Sequence, residues 1–288
     1  MSWLDPAKKK SVAGEGGFGC TYRGVHKRTG QVVAVKMFPA HNEYRSECMH
    51  EVALYNYIAG LDVHRRFLHV LESGHEAPIP YLVLPWAGLS LSGYLKQQVH
   101  EATARIAKLD RSDIIIAVAI QTADALCFLH QNGVAHTDIK PGNLMIQGDT
   151  MNIVIIDFNA AERFDQQGDW LPRRTTYTTY PYRAPELWTR KHHRLPQVLV
   201  AADIWSYGVT CIETIRGGVS LFGGHGSETK TEKIIGEFVK STGALDKLVA
   251  TLPRVVGPLS NIHQIARCAL QVNPSERSLC DALAESGR

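Results

Sequence analysis

Three polar residues in one short segment, Asp138, Lys140 and Asn143, have the types and the spacing that phosphoryl transfer requires. That reaction depends mainly on positioning and on stabilisation of charge, because it asks little covalent chemistry of a protein. In such a segment a carboxylate accepts the proton of an incoming hydroxyl, an ammonium meets the transferring phosphoryl group, and an amide oxygen five residues after the carboxylate holds a metal ion. The segment therefore predicts a phosphoryl-transfer site.

The segment from 136 to 143, His-Thr-Asp-Ile-Lys-Pro-Gly-Asn, resembles the catalytic loop of eukaryotic-type protein kinases, which usually has His-Arg-Asp, four residues and Asn. Thr137 stands where that family usually has arginine. A lysine two residues after the aspartate, here Lys140, resembles the pattern of the serine/threonine branch of the family. Thr179 resembles the threonine that bonds the catalytic aspartate and lysine. The resemblance implies transfer of the γ-phosphate of Mg-ATP to a serine or threonine of a protein substrate, with Asp138 as catalytic base.

A glycine-rich segment lies near the N-terminus and has the pattern Gly-x-Gly-x-x-Gly, formed by Gly14, Glu15, Gly16, Gly17, Phe18 and Gly19. Glycine lets a backbone lie against phosphates where a Cβ would collide. Alone, the pattern also fits a flexible turn or a dinucleotide site; a dinucleotide fingerprint opens a helix, whereas residues 20–25 indicate a strand. In the kinase resemblance this segment holds the ATP phosphates.

A lysine and a glutamate follow at the family's expected places. Lys36 ends the β-branched run 33–36, which resembles the strand whose lysine pairs with the α- and β-phosphates. Glu51 opens a segment with the apolar spacing of a helix, and the resemblance implies that it pairs with Lys36. Glu47, one turn earlier, is the alternative partner, and Glu43 is a weaker one. The same helix is the expected contact site for a regulatory protein.

The apolar run 151–156 predicts a buried strand that ends at Asp157. Asp157, Phe158 and Asn159 resemble the family's Asp-Phe-Gly, which implies that Asp157 and Asn143 bind Mg²⁺. Asn159 replaces the glycine, and asparagine tolerates the left-handed backbone region better than other non-glycine residues. We therefore expect the turn to form there with less conformational freedom. Phe158 and His136 are expected to be packing residues.

The segment 81–88 predicts a strand followed by a short connection containing proline and glycine. The resemblance makes it the hinge that binds adenine. Five residues are then implied at the base: Leu84 behind it, the Pro85 carbonyl and the Ala87 N–H along its edge, and Ala34 and Met145 on its two faces.

The resemblance covers about residues 11 to 277 and implies an α+β, two-lobed protein kinase fold. A small antiparallel β-sheet with one main helix forms the N-lobe (about 1–85), a hinge follows (about 85–89), and a larger, mostly helical C-lobe completes the single domain (about 90–288). Three C-lobe residues have implied structural roles: Asp203 braces the catalytic loop, and Glu186 pairs with Arg277.

Composition agrees with a chain of this kind. Its 288 residues are 44% hydrophobic, which is enough to fill the cores of two lobes. The net charge of +3 is too small to indicate a nucleic-acid partner. The run 114–120 is too short for a membrane span and predicts a buried helix. The six scattered cysteines and the absence of a signal-like segment favour an intracellular, cytoplasmic protein with reduced thiols.

Regulation is the point at which Thr137 matters. In the family the arginine at this place pairs with a phosphate on the activation segment, and threonine cannot supply that cation. We therefore expect activity that does not require this phosphate. Arg173 and Arg174 are candidates for a replacement basic site, and Thr175 and Thr176 are candidates for autophosphorylation. The alternative is a pseudokinase, a scaffold that binds nucleotide without efficient transfer. The departures from the family pattern at Thr137 and Asn159 motivate this alternative.

Overall fold

The first part of the chain forms strands of an antiparallel sheet, and the later part forms most of the helices. The computed structural model describes residues 12–62, 66–99, 111–147, 151–164, 178–188, 195–223, 227–252 and 262–279. The chain divides into two units: residues 1–88 with 156–159 form the N-terminal unit, and residues 89–155 with 160–288 form the C-terminal unit.

The N-terminal unit contains a five-stranded sheet in the order β1-β2-β3-β5-β4, with every neighbouring pair antiparallel. Its strands are β1 (Val12–Gly16), β2 (Gly19–Val25), β3 (Val32–Met37), β4 (Glu72–Gly74) and β5 (Tyr81–Pro85). Side chains alternate between the two faces of a strand. Val33 and Val35 of β3 therefore pack with Val83 in the core, whereas Ala34 and Lys36 lie on the opposite face.

One helix accompanies this sheet. Helix α1 (Asn42–Leu61) buries five residues spaced three or four apart, which is the apolar stripe of a helix packed on one side. They are Cys48, Glu51, Leu54, Tyr55 and Ile58. Glu51 is the one ionisable carboxylate of this stripe, and its 1% exposure means that it requires partners.

The C-terminal unit has short strands and most of the helices. The strands pair as the antiparallel sheets β6-β8-β9 and β10-β7, formed by β6 (Leu89–Ser90), β7 (Val134–Ala135), β8 (Leu144–Gln147), β9 (Asn152–Ile155) and β10 (Glu162–Arg163). The helices are α2 (Leu91–Val99), α3 (Arg111–Gln131), α4 (Pro196–Ile215), α5 (Glu228–Lys240), α6 (Ala244–Thr251) and α7 (Ile262–Ala269). Together with α1, they confirm the predicted α+β fold with a small β-sheet lobe and a mostly helical lobe.

Helix α4 is the centre of the C-terminal core. Pro196 occupies its first turn, where a missing N–H leaves no bond unmade. A Cβ added at Gly208 would lie 2.6 Å from the Ala269 Cβ, so glycine is what allows α4 and α7 to approach so closely. Trp205 of α4 stacks on Phe222 with 5.8 Å between ring centroids.

Two helices, α3 and α4, are long and apolar enough to cross a membrane by length and composition, a test that core helices also pass. Half of the apolar window of α3 and 89% of that of α4 are buried inside the protein, as expected of core helices. The run 114–120, predicted as a buried helix, lies within α3, and Ile120 is the only exposed residue of that run.

Candidate active site

The glycine-rich segment forms a β-hairpin. Gly16 pairs with Gly19, so that β1 and β2 are joined by the two-residue turn of Gly17 and Phe18. Gly19 has φ of 130°, and a Cβ there would lie 2.0 Å from the Met37 carbonyl oxygen. This glycine is therefore required by the fold itself. A Cβ at Gly14, Gly16 or Gly17 would meet no atom within 4 Å, so packing within the chain does not require those three.

Lys36 is the centre of a charged cluster within the N-terminal unit. Its Nζ lies 2.9 Å from Glu51 Oε2 and 2.6 Å from Asp157 Oδ1. The structure thus pairs Lys36 with Glu51 and not with the alternatives Glu47 or Glu43. The strand, the helix and the segment 156–159 each contribute one charged group to this cluster.

Electrostatics keep the lysine charged. Burial disfavours the ammonium, but the carboxylates of Asp157 and Glu51 outweigh it and raise the pKa of Lys36 above its usual value. Burial also raises the pKa of the Glu51 carboxyl to about 7, against the lowering by the Lys36 ammonium and by the backbone N–H of Phe158. A cation between two carboxylates is suited to binding phosphate oxygens, because it is held in place and stays charged.

The turn after β9 differs from the predicted one. Asn159 was expected to take the left-handed backbone conformation of the family's glycine, but this expectation is wrong. Asp157 is the residue with positive φ, at 68°, and Asn159 lies in a 3-10 turn, Phe158–Ala160. Phe158 is fully buried and packs edge-on against Tyr55 with 4.9 Å between ring centroids. The left-handed aspartate turns the chain, which leaves Asn159 free to bury its side chain.

Asp138 is the centre of a polar network in the C-terminal unit. Its Oδ2 accepts from Lys140 Nζ at 2.6 Å, and its Oδ1 accepts from the Thr179 hydroxyl at 2.7 Å and the Thr179 N–H at 3.0 Å. Lys140 also donates to the Thr179 hydroxyl at 2.7 Å. Asn143 Nδ2 donates to the main-chain oxygen of Asp138 at 2.9 Å and to Oδ2 at 3.1 Å. The structure therefore brings these four predicted residues together.

A buried aspartate of α4 positions the backbone of this loop. Asp203 accepts from the backbone N–H groups of His136 and Thr137, each at 2.7 Å, and its Oδ2 lies 2.9 Å from His130 Nε2. Thr137 has φ of 61°, and its hydroxyl donates to the Ala160 carbonyl at 2.6 Å. The threonine thus supplies a hydrogen bond to the chain that follows Asn159, and its side chain is not directed to solvent, being 2% exposed.

The residues proposed for Mg²⁺ have suitable chemistry. Magnesium prefers carboxylate and amide oxygens and commonly shares its site with phosphate oxygens of the substrate. The Asp157 carboxylate is 30% exposed. Because Asn143 Nδ2 faces Asp138, its amide oxygen points away from that carboxylate. Within the described residues no group of three or more His, Cys, Asp or Glu residues forms a metal site on its own. Asp157 belongs to the N-terminal unit and Asn143 to the C-terminal unit, and each offers an oxygen of the type that Mg²⁺ prefers.

The residues proposed for adenine lie in both units. In the N-terminal unit, Ala34 of β3 is the cross-strand partner of Leu84 in β5, Pro85 ends that strand, and Ala87 is 4% exposed. Met145 belongs to β8 of the C-terminal unit.

The predicted ion pair between Glu186 and Arg277 is present in the C-terminal unit. Arg277 NH1 and NH2 donate to the two carboxylate oxygens of Glu186 at 2.6 Å and 2.9 Å, the fork geometry in which arginine binds carboxylates most strongly. The arginine side chain is fully buried and also donates to the Ala201 carbonyl at 3.0 Å.

The roles of two residues of the site, Tyr55 and Asn159, were not predicted from the sequence. Tyr55 accepts the Asp157 N–H at 3.2 Å, and its position four residues after Glu51 places both on one face of α1, which is the signal that could have identified it. Asn159 was interpreted as a turn residue and as a motive for the pseudokinase alternative. Its amide side chain, two residues after Asp157, was the overlooked signal. Arg173, Arg174, Thr175 and Thr176 lie outside the described residues.

The sequence pattern of the protein kinase domain matches residues 7–286. The chain belongs to the protein kinase family. The match covers both units of the chain.

Two of the three relatives described here are serine/threonine-protein kinases by name. The kinase domain is 31% identical over 216 residues to serine/threonine-protein kinase PLK4 of Nematostella vectensis, covering 72% of this chain and 20% of that protein. It is 30% identical over 227 residues to serine/threonine-protein kinase bur1 of Emericella nidulans, covering 73% and 39%. It is 28% identical over 226 residues to cell division control protein 2 homolog 3 of Trypanosoma brucei brucei, covering 77% and 66%. The alignments thus span one fifth to about two thirds of these relatives.

Proposed function

We propose that this kinase domain transfers the γ-phosphate of Mg-ATP to serine or threonine hydroxyls of proteins. The observation that carries the proposal is the network around Asp138, in which Lys140, Thr179 and Asn143 all contact one 7% exposed residue. Such a network holds a carboxylate in one orientation, as a base that receives a hydroxyl proton requires. The serine/threonine relatives support the same class of acceptor.

Each group of the site has a role in this proposal. Asp138 accepts the proton of the attacking hydroxyl, and Lys140 places its ammonium beside that base, where negative charge on the phosphoryl group is stabilised. Lys36, oriented by Glu51, binds phosphate oxygens of the nucleotide. Asp157 and Asn143 would hold Mg²⁺, which would supply charge neutralisation for the transferring group.

The glycine-rich hairpin supports binding of phosphates. No atom of the described residues fills the space beside Gly14, Gly16 and Gly17. The phosphates of a ligand can therefore approach the backbone N–H groups of these glycines. Leu84, Pro85, Ala87, Ala34 and Met145 remain our proposal for the adenine site. We propose an intracellular location for this activity, with a protein substrate and a regulatory partner at α1.

The deciding experiment is a γ-phosphate transfer assay on a mixed protein substrate with Mg²⁺. Wild type is expected to label serine and threonine, and Asp138→Asn to reduce the rate by about 100-fold or more. Asp113→Asn, on the exposed start of α3, is the matched control and should retain the wild-type rate. Equal rates for wild type and Asp138→Asn would refute catalysis and leave the pseudokinase alternative.

We further infer that activity does not require a phosphate bound through position 137. The Thr137 hydroxyl is engaged with the Ala160 carbonyl and has no positive charge to offer a phosphate. Purified protein treated with phosphatase is expected to keep its transfer rate. A collapse of the rate on dephosphorylation would contradict this inference.

A further inference from the structure

Asn159 contributes a side chain to the charged cluster at a place where a glycine would contribute none. The residue is fully buried, and its Nδ2 lies 2.8 Å from Glu51 Oε2 and 3.2 Å from Asp157 Oδ1. Carboxylates only accept hydrogen bonds, so the nitrogen of the amide, and not its oxygen, must face them.

Asn159 and Lys36 each donate hydrogen bonds to both Glu51 and Asp157. Lys36 Nζ bridges Glu51 and Asp157 from one side, and Asn159 Nδ2 bridges the same two residues with a second donor. The four side chains thus close a ring in which two carboxylates share an ammonium and an amide. Hydrogen bonds to charged groups are stronger than those between neutral groups, so the amide adds a substantial restraint on Glu51.

The amide oxygen of Asn159 indicates that packing alone does not explain this residue. Among the described residues, no donor reaches the buried Asn159 Oδ1. A buried oxygen without a donor is unfavourable, and alanine or glycine would avoid that penalty. The favourable contribution of the side chain is therefore concentrated in the two bonds made by Nδ2.

We propose that Asn159 is a positioning residue that ties Glu51 of α1 to Asp157 and so keeps the Lys36–Glu51 ion pair formed without an activation-segment phosphate. The inference rests on the proposed function, because it concerns the same cluster. It also links the two departures of the sequence from the family pattern. Thr137 has no cation to offer a phosphate, and Asn159 supplies a restraint on α1 that needs none.

The first test needs no activity. Hydrogen–deuterium exchange of α1 is compared in nucleotide-free wild type, Asn159→Ala and Asn159→Gly. Both variants lose the amide, and only the second adds backbone freedom. Exchange within α1 is expected to be faster in both, with α7 unchanged. Asn152→Ala, which removes an exposed asparagine at the start of β9, is the matched control and should match wild type.

The second test measures transfer at a temperature well below the unfolding midpoint of every variant. Asn159→Ala and Asn159→Gly are expected to lower kcat about tenfold with an unchanged KM for the protein substrate, because a hydrogen bond to a charged group is lost. Asn159→Asp should lower kcat further, since it places a third carboxylate in the ring. A merely structural residue would shift the unfolding midpoint and leave kcat unchanged at that temperature.

Wild-type exchange in α1 for both Asn159→Ala and Asn159→Gly would overturn the inference. If wild type transfers no phosphate, the proposed function fails on its own, and the exchange of nucleotide-free protein still decides the role of Asn159. If Asn159→Ala does not fold, Asn159→Gly carries both measurements.

Discussion

Among the described residues, the backbone is left-handed at three positions that are not glycine: Thr137, Met151 and Asp157. For a β-branched residue such as threonine this conformation is a genuine outlier and costs about 1–2 kcal/mol. At Thr137 the cost is offset by two bonds, the N–H to Asp203 and the hydroxyl to the Ala160 carbonyl. Two of the three strained residues lie in the site, where strain is commonly retained for function.

The hydroxyl of Thr137 is expected to be important for stability. Thr137→Val keeps the shape of the side chain but leaves the Ala160 carbonyl without its donor. We expect a loss of about 1–3 kcal/mol in the free energy of unfolding. Urea denaturation measures the change. Thr137→Ser, which retains the hydroxyl, should lose less, and an equal loss in the two variants would contradict the assigned bond.

At the scale of the residue, the sequence was informative about types and poor about partners. Asp138, Lys140 and Asn143 were identifiable because their spacing in one loop is itself the chemical signal. The bond from Asn159 to Glu51 was not, since the two residues are 108 positions apart and only the fold brings them together. A pattern of residue types carries no information about which carboxylate a buried amide will meet.

Among the elements, β3 and α1 were predictable in kind and less so in extent. The alternation of Val33 and Val35 with Ala34 and Lys36 defines a strand with one buried face, as the structure confirms. The helical spacing was recognised only from Glu51, whereas α1 begins at Asn42. The first part of α1 is polar and has few apolar residues, so periodicity alone could not locate its start.

The ion pair between the turn 185–188 and the segment after α7 is expected to stabilise the C-terminal unit. Glu186→Ala leaves the fully buried Arg277 without its carboxylate. Breaking a buried pair in this way costs about 3–5 kcal/mol, and the thermal midpoint should fall by several degrees. Differential scanning fluorimetry measures it. Glu232→Ala, on an exposed position of α5, should leave the midpoint unchanged.

The buried carboxyl group of Glu213 links α4 to its neighbours and makes the stability of the protein depend on pH. Burial raises the pKa of Glu213 above its ordinary value of 4.5, although bonds from the Tyr182 hydroxyl and the Leu221 N–H lower it in part. The native carboxyl therefore keeps its proton to higher pH than the unfolded chain does. Its contribution to stability is complete below pH 4.5 and falls as the pH rises through the raised pKa.

Glu213→Gln removes this titration. The advantage of wild type over the variant in thermal midpoint should therefore shrink as the pH rises from about 4 to about 8. Midpoints at several pH values measure it, with Glu232→Gln as the exposed control. A difference that stays constant with pH would show that Glu213 does not titrate between the folded and unfolded states in this way.

At the scale of the whole molecule, the proposed nucleotide contact and the proposed base can be tested separately, because the two residues belong to different units. Lys36 and Asp157 belong to the N-terminal unit, and Asp138 belongs to the C-terminal unit. Lys36→Met is expected to weaken Mg-ADP binding about tenfold, because a cation that meets the phosphates is lost. Asp138→Asn should retain nucleotide affinity and lose transfer. Isothermal titration calorimetry and the transfer assay separate the two effects.

The matched control for this comparison is Lys233→Met, since the Lys233 side chain is 78% exposed on α5. It should change neither nucleotide affinity nor the transfer rate. Loss of nucleotide binding in Asp138→Asn would contradict the division of roles between the units.

The close packing of α4 on α7 has a consequence during synthesis of the protein. Ile262 follows Ile215 by 47 positions, so the ribosome completes α4 before its packing partner exists. At usual translation rates that interval lasts about 2–10 s. Throughout it the nascent chain carries an apolar helix whose Gly208 face has nothing to cover it. Early stop codons between these helices should therefore yield polypeptides that aggregate or depend on chaperones, whereas chains that include α7 can cover the Gly208 face.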